Sequence, residues 1–151
     1  MIQDVVVKKL IRHGDDRGFF MEILRDNEGL LKKFGQASMS KTYPGVIKAF
    51  HYHELQDDIW FFPIGNAQVV LHDLREHSPT KGETAVFYMG EDNPIVLVIP
   101  AGVAHGYRVL GNSPAAIVYF TTEAYNPQNP DEKRLAWNDP LISFDWQTKN
   151  R

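Results

Sequence analysis

Three histidines and an aspartate, spread over two segments of the sequence, could form a chemical site. His51 and His53 are separated by one residue and Asp58 follows closely, while His105 lies far downstream in the run Pro100 to Tyr107. Residues two apart in a strand lie on the same face, so the first two imidazoles would point the same way. Proline and glycine predict a turn before His105, which would bring a third imidazole from a second strand. The sequence therefore predicts that three imidazoles and a carboxylate converge.

This group of side chains could perform two kinds of chemistry. Neutral imidazoles and a carboxylate suit first-row divalent metals such as Fe, Mn, Ni or Zn, and the ligand types alone do not choose among them. Imidazole also suits a general base, because its unperturbed pKa lies near neutrality. The two interpretations exclude each other at His51, since an imidazole nitrogen bound to a metal cannot accept a proton. A third interpretation is that His53, Asp58 and His105 are polar residues that line a cleft without binding a metal.

The elements that must position these residues are predicted to be short strands. Eight segments are rich in branched and aromatic residues and are separated by turn clusters, which predicts a β-sandwich or β-barrel. They are Val5 to Val7, Val46 to Tyr52, Ile59 to Phe62, Gln68 to Asp73, Thr84 to Met89, Ile95 to Ile99, Gly106 to Leu110 and Ala115 to Thr121. One short helix is predicted over Asn27 to Phe34, with Gly35 placed to end it. The segment from Asn126 onward, rich in Pro, Asn and Asp, is expected to wrap the barrel.

Composition and charge narrow the class of protein. The 151 residues are enough for one core, and we expect residues 1–151 to form a single domain. The 16 basic and 19 acidic residues give a formal charge of -3 without a basic block, which argues against a nucleic-acid partner. The absence of cysteine excludes disulfides and thiolate chemistry. The start does not resemble a leader and no apolar stretch approaches a membrane span, so we expect a cytoplasmic protein without a membrane partner.

Two motifs resemble those of the cupin superfamily. The spacing from Gly45 through His51, His53 and Asp58 to Gly65 matches the first cupin motif, with aspartate where glutamate is usual. Pro100, Gly102 and His105 resemble the second motif, although the asparagine that usually ends it is Val109 here. In a metal-dependent cupin, for example an oxygenase or a metal-assisted isomerase, the ligands would be His51, His53, Asp58 and His105.

A wider resemblance covers nearly the whole chain and lies within that superfamily, to the dTDP-4-dehydrorhamnose 3,5-epimerase family. Its landmarks, in order, are Asp15 to Glu22, Gly45 to Tyr52, Asp73 to Thr80, Pro100 to Tyr107, and Tyr125 to Pro127 followed by Trp137 to Pro140. The resemblance implies an all-β fold, a double-stranded β-helix of the jelly-roll, RmlC-like cupin type. We expect this fold to carry one short helix and a wrapping C-terminal segment.

The family resemblance also implies a reaction and a set of site residues. Such epimerases remove protons next to the C4 ketone of a dTDP-4-keto-6-deoxyhexose and return them on the opposite face, without a cofactor and usually as homodimers. By resemblance His51 would be the base and Tyr125 the acid. The resemblance further implies a set of substrate-binding residues, in which Arg17 meets the diphosphate and Glu22 the nucleobase: Arg17, Phe19, Glu22, Gln36, Lys48 and His105.

Apart from Lys48, which stands where an arginine usually helps to hold the substrate, the chain departs from this family at three positions. A lysine expected to stabilise the developing enolate oxygen is replaced by Asp58, whose charge would oppose that role, and the usual glutamine is His53. The C-terminal aspartate that orients the base has no counterpart. Three explanations are open: Asp58 orients His51; a metal held by His51, His53, Asp58 and His105 is the Lewis acid; or the protein is a non-catalytic sugar-nucleotide binder.

Overall fold

The computed structural model describes residues 1–150 and consists almost entirely of antiparallel strands. In chain order the strands are β1 (Val6–Lys9), β2 (His13–Asp15), β3 (Gly18–Phe20), β4 (Gln36–Thr42), β5 (Ile47–Tyr52), β6 (Asp58–Ile64), β7 (Asn66–Asp73), β8 (Thr84–Gly90), β9 (Ile95–Ile99), β10 (Val103–Leu110), β11 (Ala115–Thr121) and β12 (Lys133–Arg134).

Two five-stranded sheets form the body of the fold. One has the order β1-β9-β6-β11-β4 and the other β12-β5-β10-β7-β8, while β2 and β3 form a separate hairpin. The main core lies between the sheets, because it joins Trp60 and Leu97 of the first sheet to Leu71 and Tyr107 of the second. This arrangement confirms the predicted all-β jelly roll.

All eight predicted strands are present, two of them (β9 and β11) with the predicted bounds and six with shifted bounds, and four strands were not predicted. The first sheet's edge strand β4 was missed because it has small polar residues and alternates between partly buried and exposed positions, without the branched residues that indicate a strand. The hairpin strands β2 and β3 are exposed along their whole length. The two-residue strand β12 exists only because it pairs with β5.

The helix predicted over Asn27 to Phe34 is wrong. The chain forms only a single 3-10 turn, Asp26–Glu28, and Gly29 follows it with a positive φ of 69°, which ends the turn. Leu30 and Leu31 pack individually against the outer face of the first sheet. Gly35 has a different role from the predicted helix stop, because a Cβ there would lie 2.3 Å from the Glu123 backbone.

The C-terminal segment wraps the second sheet, as predicted. Ile142 and Trp146 are buried in a cluster with Phe50, Val70 and Ala104. The indole of Trp146 also donates a hydrogen bond to the carbonyl oxygen of Trp137, 3.0 Å away. This packing holds the strands that carry His51 and His105 from the outside. Within residues 1–150, no helix has the length and apolar character needed to cross a membrane.

Candidate active site

A cavity of about 1230 Å³ opens between the two sheets. Residues of β4, β5, β6, β10 and β11 line it, and the segment from Glu123 to Leu135 completes its wall. His51 and His53 line this cavity together with Asp58 and Tyr125. The cavity is therefore where the sequence-predicted chemistry would take place.

The three histidines and the aspartate meet at one end of the cavity. His51 on β5 lies directly opposite His105 on β10, with the ring centroids 4.2 Å apart. Each of His51, His53, Asp58 and His105 offers an atom that could bind a metal, and these atoms all lie within 4.8 Å of one another. The structure thus brings together the four residues that the spacing predicted to converge.

The pairing of β5 with β10 depends on a glycine beside His105. A Cβ at Gly106 would lie 2.3 Å from the Cβ of Ala49, so any other residue would push the strands apart. The register of the two strands also shifts between His105 and Tyr107. The close approach of β5 and β10 and the shift in their register together place the His105 ring against His51.

Asp58 is the centre of the cluster and is almost fully buried. Its Oδ1 accepts a hydrogen bond from Gln56 Nε2 at 2.8 Å and its Oδ2 accepts one from Trp60 Nε1 at 3.1 Å. Burial alone would raise the pKa of Asp58, but the His105 and His53 rings and the Gln56 amide together lower this pKa below its ordinary value. Asp58 is therefore a carboxylate with a fixed orientation.

His53 and His105 both turn the same ring nitrogen toward Asp58. Nδ1 of His53 donates a hydrogen bond to the carbonyl oxygen of Asp131, and Nδ1 of His105 donates to that of Val103 at 2.8 Å. Their Nε2 atoms lie 3.7 Å and 3.5 Å from the carboxylate oxygens of Asp58. Within residues 1–150, Nε2 of His105 is buried and has no hydrogen-bond partner.

His51 differs from the other two histidines because it is partly exposed to the cavity. Burial lowers the pKa of His51 to about 2, the nearby His105 and His53 rings and Arg134 add to this, and Asp58 opposes it. The sequence led us to expect a pKa near neutrality. The lowered pKa favours the neutral ring, which can accept a proton but is a weaker base than free imidazole.

Tyr125, Gln36 and Lys48 also line the cavity. The Tyr125 side chain is 61% exposed, and its backbone N–H donates to Oε1 of Gln36 at 3.0 Å. Nζ of Lys48 donates to the hydroxyl of Ser40 at 3.0 Å. Gln36 thus holds the backbone that carries Tyr125, while Lys48 places a positive charge on the cavity wall.

Arg17, Phe19 and Glu22 do not line this cavity. Arg17 is exposed and forms an ion pair with Asp15. Phe19 stacks under the Arg12 guanidinium and lines a separate hollow of about 350 Å³. The structure therefore separates the three residues from His51 within one chain.

Sequence reasoning missed two residues of the site. The carboxylate of Asp131 accepts three backbone N–H bonds from residues 54–56, so it fixes the loop between His53 and Asp58. Arg134 on β12 lies opposite His51 on β5 and lines the cavity. No local pattern marks either residue, since their partners lie more than 70 residues away along the chain.

The fold and the histidine-lined cavity define a jelly-roll protein with a small-molecule site. A family model described as dTDP-4-dehydrorhamnose 3,5-epimerase matches residues 1–151. The chain therefore belongs to the dTDP-4-dehydrorhamnose 3,5-epimerase family, as its landmarks predicted. This is a family of sugar-nucleotide epimerases, which confirms the predicted class of enzyme.

Individual relatives agree with this assignment. The chain is 69% identical over 151 residues to the spore coat polysaccharide biosynthesis protein SpsL of Bacillus subtilis, with 100% of both chains covered. It is 37% identical over 150 residues to the probable low-salt glycan biosynthesis epimerase Agl13 of Haloferax volcanii, with 98% of this chain and 96% of that protein covered.

A solved structure shows the same fold. It is dTDP-6-deoxy-D-glucose-3,5-epimerase RmlC from Legionella pneumophila in complex with dTDP-4-keto-L-rhamnose, and its TM-score is 0.86 at 29% identity. The match covers 99% of this chain and 82% of that chain. The predicted RmlC-like cupin fold is confirmed.

Proposed function

We propose that this protein, as one domain over residues 1–151, epimerises a dTDP-4-keto-6-deoxyhexose next to its C4 ketone. The proposal rests on the position of His51 and Tyr125 in one large cavity, in a chain that matches the epimerase family over its whole length. The Legionella relative, whose solved structure holds dTDP-4-keto-L-rhamnose, supports the choice of substrate.

The proposed reaction is a proton transfer in two steps. Nε2 or Nδ1 of His51 takes the proton from the carbon beside the ketone, and the electrons of the broken C–H bond move to form an enolate oxygen. The phenol of Tyr125 then donates a proton to the opposite face of that carbon while the ketone forms again. The two residues line the same cavity, as this division of roles requires.

The diphosphate of the substrate requires positive charge near the cavity. Lys48 and Arg134 both line it, and Arg134 lies opposite His51 across the paired strands. Lysine keeps the charge of the arginine usual in this family but lacks its two-pronged geometry. We therefore assign the diphosphate to these two cations within one chain.

The β2-β3 hairpin supports a homodimer in which one copy completes the site of the other. Phe19 and Phe20 are adjacent aromatic side chains on this hairpin and are 60% and 64% exposed. Arg17 and Glu22 flank them, and none of the four lines the cavity of its own chain. A second copy would bring these residues to a nucleotide bound in the first.

The cellular setting follows from the same relatives. SpsL and Agl13 carry names from spore coat polysaccharide and glycan biosynthesis. We propose that this protein also serves polysaccharide biosynthesis and that it acts in the cytoplasm. Its ligand would be a nucleotide-linked sugar, with neither nucleic acid nor membrane as partner.

Solvent isotope exchange tests the proposed reaction. In heavy water, the wild-type protein should place deuterium at C3 or C5 of dTDP-4-keto-6-deoxyglucose. His51→Asn should slow this exchange by about 100-fold or more, since a positioned base contributes at least that factor. His72→Asn is a matched control, because His72 is buried on β7 and bonds Thr84 outside the cavity.

The outcomes separate an epimerase from a binder. Full exchange in His51→Asn would rule out His51 as the base. Nucleotide-sugar binding without exchange by the wild-type protein would instead indicate a non-catalytic binder. The carboxylate of Asp58, which stands where the family resemblance implies a lysine, is the feature that would favour that result.

A further inference from the structure

The Asp58 carboxylate and the rings of His53 and His105 can each form a further bond at the place where they meet. Because a carbonyl oxygen can only accept, Nδ1 of both His53 and His105 must carry a proton. In both residues the other ring nitrogen, Nε2, therefore faces the Asp58 carboxylate. These two ring nitrogens and the Asp58 carboxylate therefore face one buried region, where together they could bind a shared cation.

The bracing of these rings is the arrangement that metal-binding histidines show. A histidine that binds a metal through one nitrogen usually donates its other N–H to a carbonyl or carboxylate, which fixes the ring. Both His53 and His105 do this through backbone carbonyls. Asp58 is likewise held by Gln56 and Trp60. The orphan Nε2 of His105, in a ring only 2% exposed, points into the same space.

Two of the distances between these atoms are slightly longer than those expected around one shared ion. Two ligand atoms about 2.1 Å from a metal lie about 3.0 Å apart at a right angle and about 3.4 Å apart at a tetrahedral angle. The separations from Asp58 oxygens to Nε2 of His105 and of His53 are 3.5 Å and 3.7 Å. A small inward movement of side chains would therefore close the site.

We propose that His53, Asp58 and His105 form a three-ligand site for a first-row divalent metal ion. Two imidazoles and one carboxylate on one side leave coordination positions open on the other. His51 completes the group of four, but it is the member that is partly exposed to the cavity. It remains free for proton transfer, so the base and the metal no longer exclude each other.

The role of the metal rests on the proposed epimerase reaction, although its binding does not. By the family resemblance, Asp58 stands where a lysine is expected to stabilise the developing enolate oxygen. A metal held by Asp58 would restore positive charge at this position and polarise the ketone oxygen as a Lewis acid. The replacement of lysine by a carboxylate then supplies a ligand where it would otherwise oppose the reaction.

Cobalt binding without substrate tests the site directly. Protein stripped with a chelator and dialysed should bind about one equivalent of Co²⁺, measured by elemental analysis, with visible d–d absorption bands from a site with nitrogen ligands. Asp58→Asn and His53→Gln should each reduce Co²⁺ affinity at least about 10-fold. His72→Asn, a buried histidine outside the cluster, should bind as wild type does.

The outcomes decide the proposal independently of the reaction. Less than about a tenth of an equivalent of Co²⁺, Mn²⁺ or Zn²⁺ on the wild-type protein would overturn the site, because such sites fill stoichiometrically. Equal binding by the wild type and both ligand variants would overturn it as well. If one variant fails to fold by circular dichroism, the wild-type stoichiometry and the other variant still decide.

Deuterium exchange then tests the role of the metal. With metal bound, exchange should fall at least about 10-fold on chelation and return with Co²⁺. Binding with unchanged exchange would overturn the Lewis-acid role. Absence of exchange both with and without Co²⁺, while Co²⁺ still binds, would count against the epimerase and leave the site standing.

Discussion

His51 and His105 face each other across β5 and β10, with ring centroids 4.2 Å apart and planes inclined by 75°. The His105 ring is held by its hydrogen bond to the carbonyl oxygen of Val103. It therefore packs in a fixed orientation behind the partly exposed His51. The two histidines of this pair have different surroundings. Nε2 of His105 lies near the Asp58 carboxylate, whereas His51 lines the cavity.

Arg134 and Lys48 are predicted to bind the substrate without taking part in proton transfer. Arg134→Gln and Lys48→Gln should each raise KM about 10-fold with kcat nearly unchanged, because they remove charge that binds ground state and transition state alike. The effect should shrink at high salt. Steady-state kinetics at two ionic strengths checks this.

Lys133 provides the matched control for Arg134. It is the neighbouring cation on β12, but it does not line the cavity. Lys133→Gln should leave KM within about twofold of wild type. An equal rise in KM for both variants would show that only the general charge of this edge matters.

Asp131 is predicted to hold the loop that carries His53 and Asp58. Its carboxylate accepts three backbone N–H bonds, and Asp131→Ala removes all of them. At about 1 kcal/mol per bond, we expect the free energy of unfolding to fall by about 2–3 kcal/mol. Urea denaturation measures this change. A loss below about 0.5 kcal/mol would show that the loop is held by other contacts.

Asp73 is predicted to stabilise the fold in a pH-dependent way. Burial would raise the pKa of Asp73, but hydrogen bonds from Arg75, Ser78 and Thr80 lower it below its ordinary value. Since the folded pKa lies below the unfolded one, this stabilisation is present above about pH 4 and is lost as pH falls through the folded pKa.

Asp73→Asn should therefore destabilise the protein by about 3 kcal/mol at pH 7 and by progressively less below pH 4. Urea denaturation at pH 7 and pH 3 gives the comparison. Asp16→Asn, at an exposed position, serves as the control and should change stability by less than about 0.5 kcal/mol. A destabilisation that is the same at both pH values would contradict the assigned origin.

Trp146 is predicted to fasten the C-terminal segment to the second sheet. Its ring packs 5.5 Å from Phe50 and 4.9 Å from Phe144, centroid to centroid. Trp146→Ala should lower the free energy of unfolding by about 3–5 kcal/mol. Trp137→Ala, with a side chain 53% exposed, should cost much less. Similar losses from both would mean that the segment contributes little packing of its own.

The sequence predicts the fold better than it predicts the contacts of the site. Branched and aromatic runs locate eight strands, because burial between sheets demands those residues. The alternation of His51 and His53 and the turn before His105 also predict their convergence. The helix over Asn27 to Phe34 fails because Gly29 ends the turn and tertiary packing overrides the leucine spacing.

Other contacts leave no trace in local sequence. The carbonyl oxygens of Val103 and Asp131 orient the rings of His105 and His53. Because every residue type has a backbone carbonyl, the sequence does not indicate these contacts. The pairing of Arg134 with His51 joins segments 83 positions apart. The family resemblance identifies Arg17 and Glu22 as substrate-binding residues. Within a single chain, however, these two residues do not line the cavity.

The proposed epimerase function depends most directly on whether the protein removes a carbon-bound proton next to the ketone. Nuclear magnetic resonance of dTDP-4-keto-6-deoxyglucose, incubated with wild-type protein in heavy water, measures this at each carbon. We predict deuterium at C3, C5 or both, at a rate that falls at least about 100-fold in His51→Asn. Undiminished C3 and C5 proton signals, in a sample where the sugar nucleotide is bound, would contradict the proposed epimerase function.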